Sequence, residues 1–215
     1  MMDIPRLHLI GPLGVVKPVE FLGIATRAAA GGCGAVHLRM RDLSGGDALR
    51  MARSMRRELA ATPGTRLIIN DRIDVALLSG ADGVQLGERG FDVADARHLT
   101  GERMLIGRSI HDVDGAKRAA EAGASYLIAG HVFDTPSKEG EPGRGTDWLA
   151  EIASAVETPV IAIGGITLDY LIEVLSTGVH GIALGREFLG ADDPKMVAER
   201  VQRTMEQEGT HGVPE

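Results

Sequence analysis

Aromatic residues are scarce in this chain: Phe, Tyr and Trp together make up 3% of 215 residues. A core must therefore be built from Ala, Val, Ile and Leu. Cysteine is scarcer still, with Cys33 alone, which excludes an internal disulfide and points to a reducing compartment. The setting of Cys33, "AAAGGCGAV", holds no nearby base, so a buried thiol is expected rather than a nucleophile. No apolar run approaches the roughly 18 residues of a membrane span, and "MMDIPRLHLIGP" lacks the basic-then-apolar order of a leader. Lys and Arg form no run and the net charge is −7, which argues against a nucleic-acid surface while leaving room for local basic pockets. A cytoplasmic protein without membrane or nucleic-acid partners is expected. No pair of His or Cys has the spacing of a zinc motif, so no metal site is expected from spacing.

What the chain does have is 44% apolar and 25% charged residues, the balance of a globular protein, and a repeat. The segments "GCGAVHLR" from Gly32, "GADGVQLG" from Gly80, "GASYLIAG" from Gly123 and "GVHGIALG" from Gly178 share one pattern. A helical-looking stretch ends in glycine, which supplies the left-handed conformation that stops a helix, and a β-branched run follows at once. Between these copies lie "RLHLIG", "TRLIIND", "MLIGRSI" and "PVIAIGG", giving eight short strands. The intervening segments read as helices, among them 44–61 with Ser44 or Gly45 near its cap, 112–122 capped by Asp112, and 193–208. Strict alternation of eight strands and helices predicts a single-domain (β/α)8 barrel over residues 1–208, with 209–215 as a disordered tail.

Active sites of such barrels form at the C-terminal strand ends, where this sequence collects "HLRMRD", "INDR", "RSIH", "GHVFDT", "IGG" and "LGRE". Gly164, Gly165 and Gly185, with Arg186, end strands 7 and 8, where backbone N–H groups can approach a phosphate. Arg39 and Arg41, two apart and assigned to strand 2, should share a face. Arg39 is the preferred ligand contact. His8 reads as barrel interior, His98, His180 and His211 as surface, and His37, His111 and His131 as strand-end residues. His131 is the candidate general acid/base, because an imidazole can take and return a proton near neutral pH.

Over essentially its whole length the chain resembles the thiamin phosphate synthase and thiazole tautomerase superfamily. The carrying segments are "HLRMRD", "NDRIDVALLSGADGVQLG", "IGRSIH", "GHVFDTPSKEGEPGRG" and "PVIAIGGI". The synthase branch couples a pyrimidine diphosphate to a thiazole phosphate with Mg²⁺. That branch implies Arg39 and Arg41 on phosphates, Asn70 and Asp71 beside the metal, and Ser109, Thr135, Ser137 and Lys138 on diphosphate or product phosphate. The chain departs from it at Gly90, where a second metal-binding aspartate is usual, with Asp92 two residues on. It departs again at Gln85 and His37, where histidine and glutamine are usual, and at His131, where synthases carry proline.

"GHVF" followed by Thr135, Lys138, Gly143, Arg144 and Gly145 matches the tautomerase branch instead. That match implies an isomerase that aromatises a carboxythiazole phosphate tautomer through His131. It needs no cofactor or metal, binds a small phosphorylated thiazole, and closes residues 134–144 as a lid. A homodimer is compatible with this. The alternatives are a Mg²⁺-dependent synthase and, from another class, a non-catalytic phosphate-ligand-binding regulatory protein.

Overall fold

The computed structural model describes residues 3–11 and 14–211, with side chains up to residue 208. Eight parallel strands close into a barrel in sequence order, β1 pairing with both β2 and β8. They are β1 (Leu7–Gly11), β2 (Ala35–Leu38), β3 (Arg66–Asn70), β4 (Gly83–Leu86), β5 (Leu105–Ile110), β6 (Tyr126–Gly130), β7 (Val160–Ile163) and β8 (Gly181–Leu184). Around them run α1 (Pro18–Ala30), α2 (Gly45–Leu59), α3 (Ile73–Ser79), α4 (Val93–Thr100), α5 (Val113–Glu121), α6 (Gly145–Ala155), α7 (Leu171–Leu175), the short α8 (Arg186–Leu189) and α9 (Pro194–His211). The (β/α)8 barrel expected from the glycine repeat is thus the observed fold. Helix α9 reaches His211, three residues past the expected boundary, and the rest of the expected tail, 212–215, lies outside the described residues.

Local chemistry explains the boundaries. Ser44 caps α2 by accepting the Asp47 N–H at 3.2 Å, and Asp112 caps α5 by accepting that of Gly115 at 2.6 Å. Gly80 ends α3 in the left-handed conformation, with φ of 69°. The apolar core has two layers. A large one lies between sheet and helices, and a small one fills the barrel with Ile10, Ile68, Leu105, Tyr126, Ile128 and Ile161. Cys33 is fully buried, and burial pushes its thiol up to about 12, so it is an inert part of that packing. No helix among the described residues is long and apolar enough to cross a membrane.

Candidate functional site

Two groups of polar side chains occupy the C-terminal mouth of the barrel. The first comes from β2 to β5. Strand β2 stops at Leu38, so Arg39 and Arg41 lie past the strand, and their two-residue spacing does not set a shared face. Arg39 is half-buried, held by its N–H to the Gly11 carbonyl at 2.8 Å, while Arg41 is exposed. Desolvation, then the positive charge of Arg41, lowers the pKa of the Arg39 guanidinium, and Asp71 and Asp42 pull it back up. Asn70 ends β3, and its Oδ1 is buried without a partner among the described residues. Asp71 is the single non-glycine among the described residues with positive φ, at 61°, a conformation Asp tolerates and that often marks a site. Its Oδ1 accepts the Gly87 N–H at 2.8 Å.

Among the described residues no cluster of three or more His, Cys, Asp or Glu is placed to hold a metal. A Cβ on Gly90 would stand 3.4 Å from Asp71 Oδ1. A second carboxylate carried there would therefore project beside Asp71. The residues present offer Mg²⁺ one carboxylate, the lower number used where phosphate oxygens supply other ligands. Asp71 thus fits the ion at the minimum.

The second group comes from β6 to β8. His131, 7% exposed, follows β6, and its Nε2 lies 3.1 Å from the carbonyls of both Glu141 and Pro142. Carbonyls only accept, so Nε2 carries a proton, which leaves Nδ1 as the ring nitrogen able to exchange one with a substrate. The loop 134–144 closes on itself, Gly143 N–H donating to Asp134 Oδ1 at 2.7 Å, and is tied to the barrel where Arg144 donates to the His111 carbonyl at 2.6 Å. The Arg144 guanidinium also sits over Trp148. Thr135 is half-buried and shares a hydrogen bond with Ser137, whereas exposed Lys138 pairs with Glu141 at 3.3 Å rather than with the mouth. Gly164 and Gly165 both have positive φ, and Gly164 packs so closely on His131 that a Cβ would overlap it. Gly185 precedes α8, whose first residue, Arg186, is exposed.

His8 lies buried in β1, as the sequence suggests, and His111 and His131 directly follow β5 and β6. His37 is the penultimate residue of β2 and is fully buried rather than open to the mouth. Its Nε2 meets His8 Nδ1 at 2.8 Å, and His8 Nε2 meets the Pro5 carbonyl at 2.8 Å. Donation to Pro5 fixes the His8 tautomer, so His37 donates to His8 and retains a lone pair on Nδ1, which has no partner. Burial lowers both imidazoles, His8 to about 4 and His37 well below the ordinary value. His180 is half-buried at the opposite end, its Nε2 2.7 Å from the Ile4 carbonyl. His98 is exposed, and the side chain of His211 lies outside those described. His111 reaches the Gly130 carbonyl through Nδ1 at 2.9 Å and lines a groove of about 430 Å³ with Ser109, Arg108 and Arg118. The sequence marks Gln85 as a departure from the synthase pattern but not its burial or its bond to Ser109 at 3.1 Å, which only the β4–β5 register reveals.

Known proteins resemble this chain in sequence and fold. The sequence profile described as thiamine monophosphate synthase matches residues 13–188. The chain belongs to the thiamine monophosphate synthase family. Among similar proteins in this family, the putative thiamine-phosphate synthase of Geobacter sulfurreducens is 44% identical over 82% of this chain and 83% of its own length. The thiamine-phosphate synthase of Anaeromyxobacter dehalogenans is 39% identical over 94% and 90%. The structure of thiamine phosphate pyrophosphorylase from Pyrococcus furiosus superposes with a TM-score of 0.85 at 31% identity, covering 94% of this chain and 96% of that one. These names favour the synthase branch over the tautomerase that the "GHVF" segment suggests.

Proposed function

We propose that the protein is a thiamin-phosphate synthase, a transferase joining a pyrimidine diphosphate to a thiazole phosphate in the cytoplasm. The observation that carries this reading is the presence of two distinct polar groups at one mouth. Arg39, Asn70, Asp71 and Ser109 form one, and His131, Gly164, Gly165 and Gly185 with the tied loop form the other. An isomerase acting on a carboxythiazole phosphate has a use for Arg39, at the carboxylate, but none for the acidic Asp71 beside it. A coupling enzyme needs both groups.

In the coupling, the thiazole ring nitrogen forms a bond to the pyrimidine methylene carbon. The carbon–oxygen bond to diphosphate breaks, and pyrophosphate leaves with the bonding pair. Arg39 and the Ser109 hydroxyl bind the diphosphate, and Asn70 Oδ1 is free to accept a hydrogen from substrate. Mg²⁺, when bound at Asp71, supplies positive charge to the leaving diphosphate. The backbone of Gly164, Gly165 and Gly185 receives the thiazole phosphate, and the loop 134–144, with Thr135, excludes water. Lys138 reaches that phosphate only by leaving Glu141, and Arg41 and Arg186, both exposed, belong to the rim.

One observation favours a second reading, the thiazole tautomerase: His131 Nδ1 is a base at the end of β6, where proline could move no proton. Incubating the protein with both substrates and Mg²⁺, and separately with the thiazole tautomer alone, separates the two. Thiamin phosphate and pyrophosphate in the first tube support coupling; aromatisation in the second without product in the first supports the isomerase.

A further inference from the structure

Gln85 sits on β4 beneath the first polar group and is 2% exposed. Its Nε2 lies 3.4 Å from the Leu86 carbonyl and 3.1 Å from Ser109 Oγ. A carbonyl only accepts, so the contact with Leu86 fixes the amide orientation: the NH2 end faces Leu86 and Ser109, and Oε1 faces the barrel interior. The interior agrees. Oε1 and the Tyr126 phenol both crowd the space that Gly107 leaves open, where a Cβ would overlap each. Both Oε1 and the Tyr126 hydroxyl are buried without a partner among the described residues, as is His37 Nδ1.

Ser109 Oγ must then accept from Gln85. A hydroxyl that accepts from one neighbour still has its own hydrogen to give, and Ser109 is half-buried at the mouth. We infer that Gln85 is a positioning residue: by donating to Ser109 it commits the Ser109 hydroxyl to donate toward the ligand, which selects an anion oxygen there. The inference rests on the proposed role of Ser109 as an anion contact. Gln85 does not touch the ligand and acts through Ser109.

Binding of inorganic pyrophosphate with Mg²⁺ by the full chain, followed by titration calorimetry, tests this without turnover. Ser109→Ala is expected to weaken binding by about ten- to a hundredfold, the range for a hydrogen bond to a charged group. Gln85→Met, close in volume but without a donor, is expected to weaken it by about fivefold or more. It should add nothing in the Ser109→Ala background. Gln85→His, which keeps a ring N–H, should restore binding, and none of these changes should alter the far-UV circular dichroism. If Gln85→Met fails to fold, Gln85→Leu and Gln85→His are compared in the same way.

A packing role would give losses that add in full to Ser109→Ala, which overturns the inference, as does wild-type binding in Gln85→Met. If Ser109→Ala itself binds like the wild type, the role of Ser109 as an anion contact falls, and the inference with it.

Discussion

His8 Nδ1 and His37 Nε2 stand 2.8 Å apart inside the barrel, sealed from solvent and both neutral. Their folded pKa values are depressed below the unfolded value near 6.5, His8 to about 4. The unfolded chain therefore binds more protons than the folded one between these values, and stability falls as pH drops from about 6.5 toward 4. His8 alone should cost roughly 3 kcal/mol across that window. Denaturant unfolding from pH 7.5 to 4.5 checks this. The wild-type slope should flatten in His8→Phe, and an identical slope in the two proteins would contradict the assignment.

Glycines at two points are needed for space rather than flexibility. A Cβ on Gly107 would overlap Gln85 and Tyr126, and Gly107→Ala should lower stability by about 1–3 kcal/mol, read by thermal unfolding. Gly164→Ala would push directly on His131 from a positive φ of 100°. Activity should fall further than stability does. Equal activity per folded molecule would show that the position of His131 is immaterial.

The loop 134–144 is held to the barrel by Arg144, which donates to the His111 carbonyl and stacks on Trp148. Arg144→Ala should raise KM several-fold and speed cleavage of that loop in limited proteolysis. Unchanged cleavage would mean that other contacts, such as His131 with the Glu141 and Pro142 carbonyls, hold the loop.

Gly90 is where a second carboxylate would meet Asp71. Gly90→Asp should lower the Mg²⁺ concentration needed for half-maximal rate by about tenfold, since each added carboxylate strengthens a hard-cation site. An unchanged Mg²⁺ requirement would place the ion away from Asp71.

The architecture was legible because glycine before each even-numbered strand marks where a helix stops, and this punctuation is local. Site details were less legible where they depend on register or on a strand's last residue. Arg39 and Arg41 look like strand residues because "HLRMR" continues the alternation, yet pairing ends at Leu38. His37, which reads as a strand-end group, is buried and bonds His8 across β1 and β2. The Gln85 link to Ser109 joins neighbouring strands far apart in sequence, and the Lys138 pairing with Glu141 depends on the short 3-10 turn Pro136–Lys138.

The most direct measurement is product formation by the wild type and His131→Ala, each given the pyrimidine diphosphate, the thiazole phosphate and Mg²⁺. The proposed coupling predicts thiamin phosphate and stoichiometric pyrophosphate from the wild type. It also predicts a reduced but measurable rate from the variant, because His131 anchors the loop through Glu141 and Pro142. No product from the wild type, together with aromatisation of the thiazole tautomer that drops about 10² to 10⁴-fold in His131→Ala, would contradict it and assign the tautomerase.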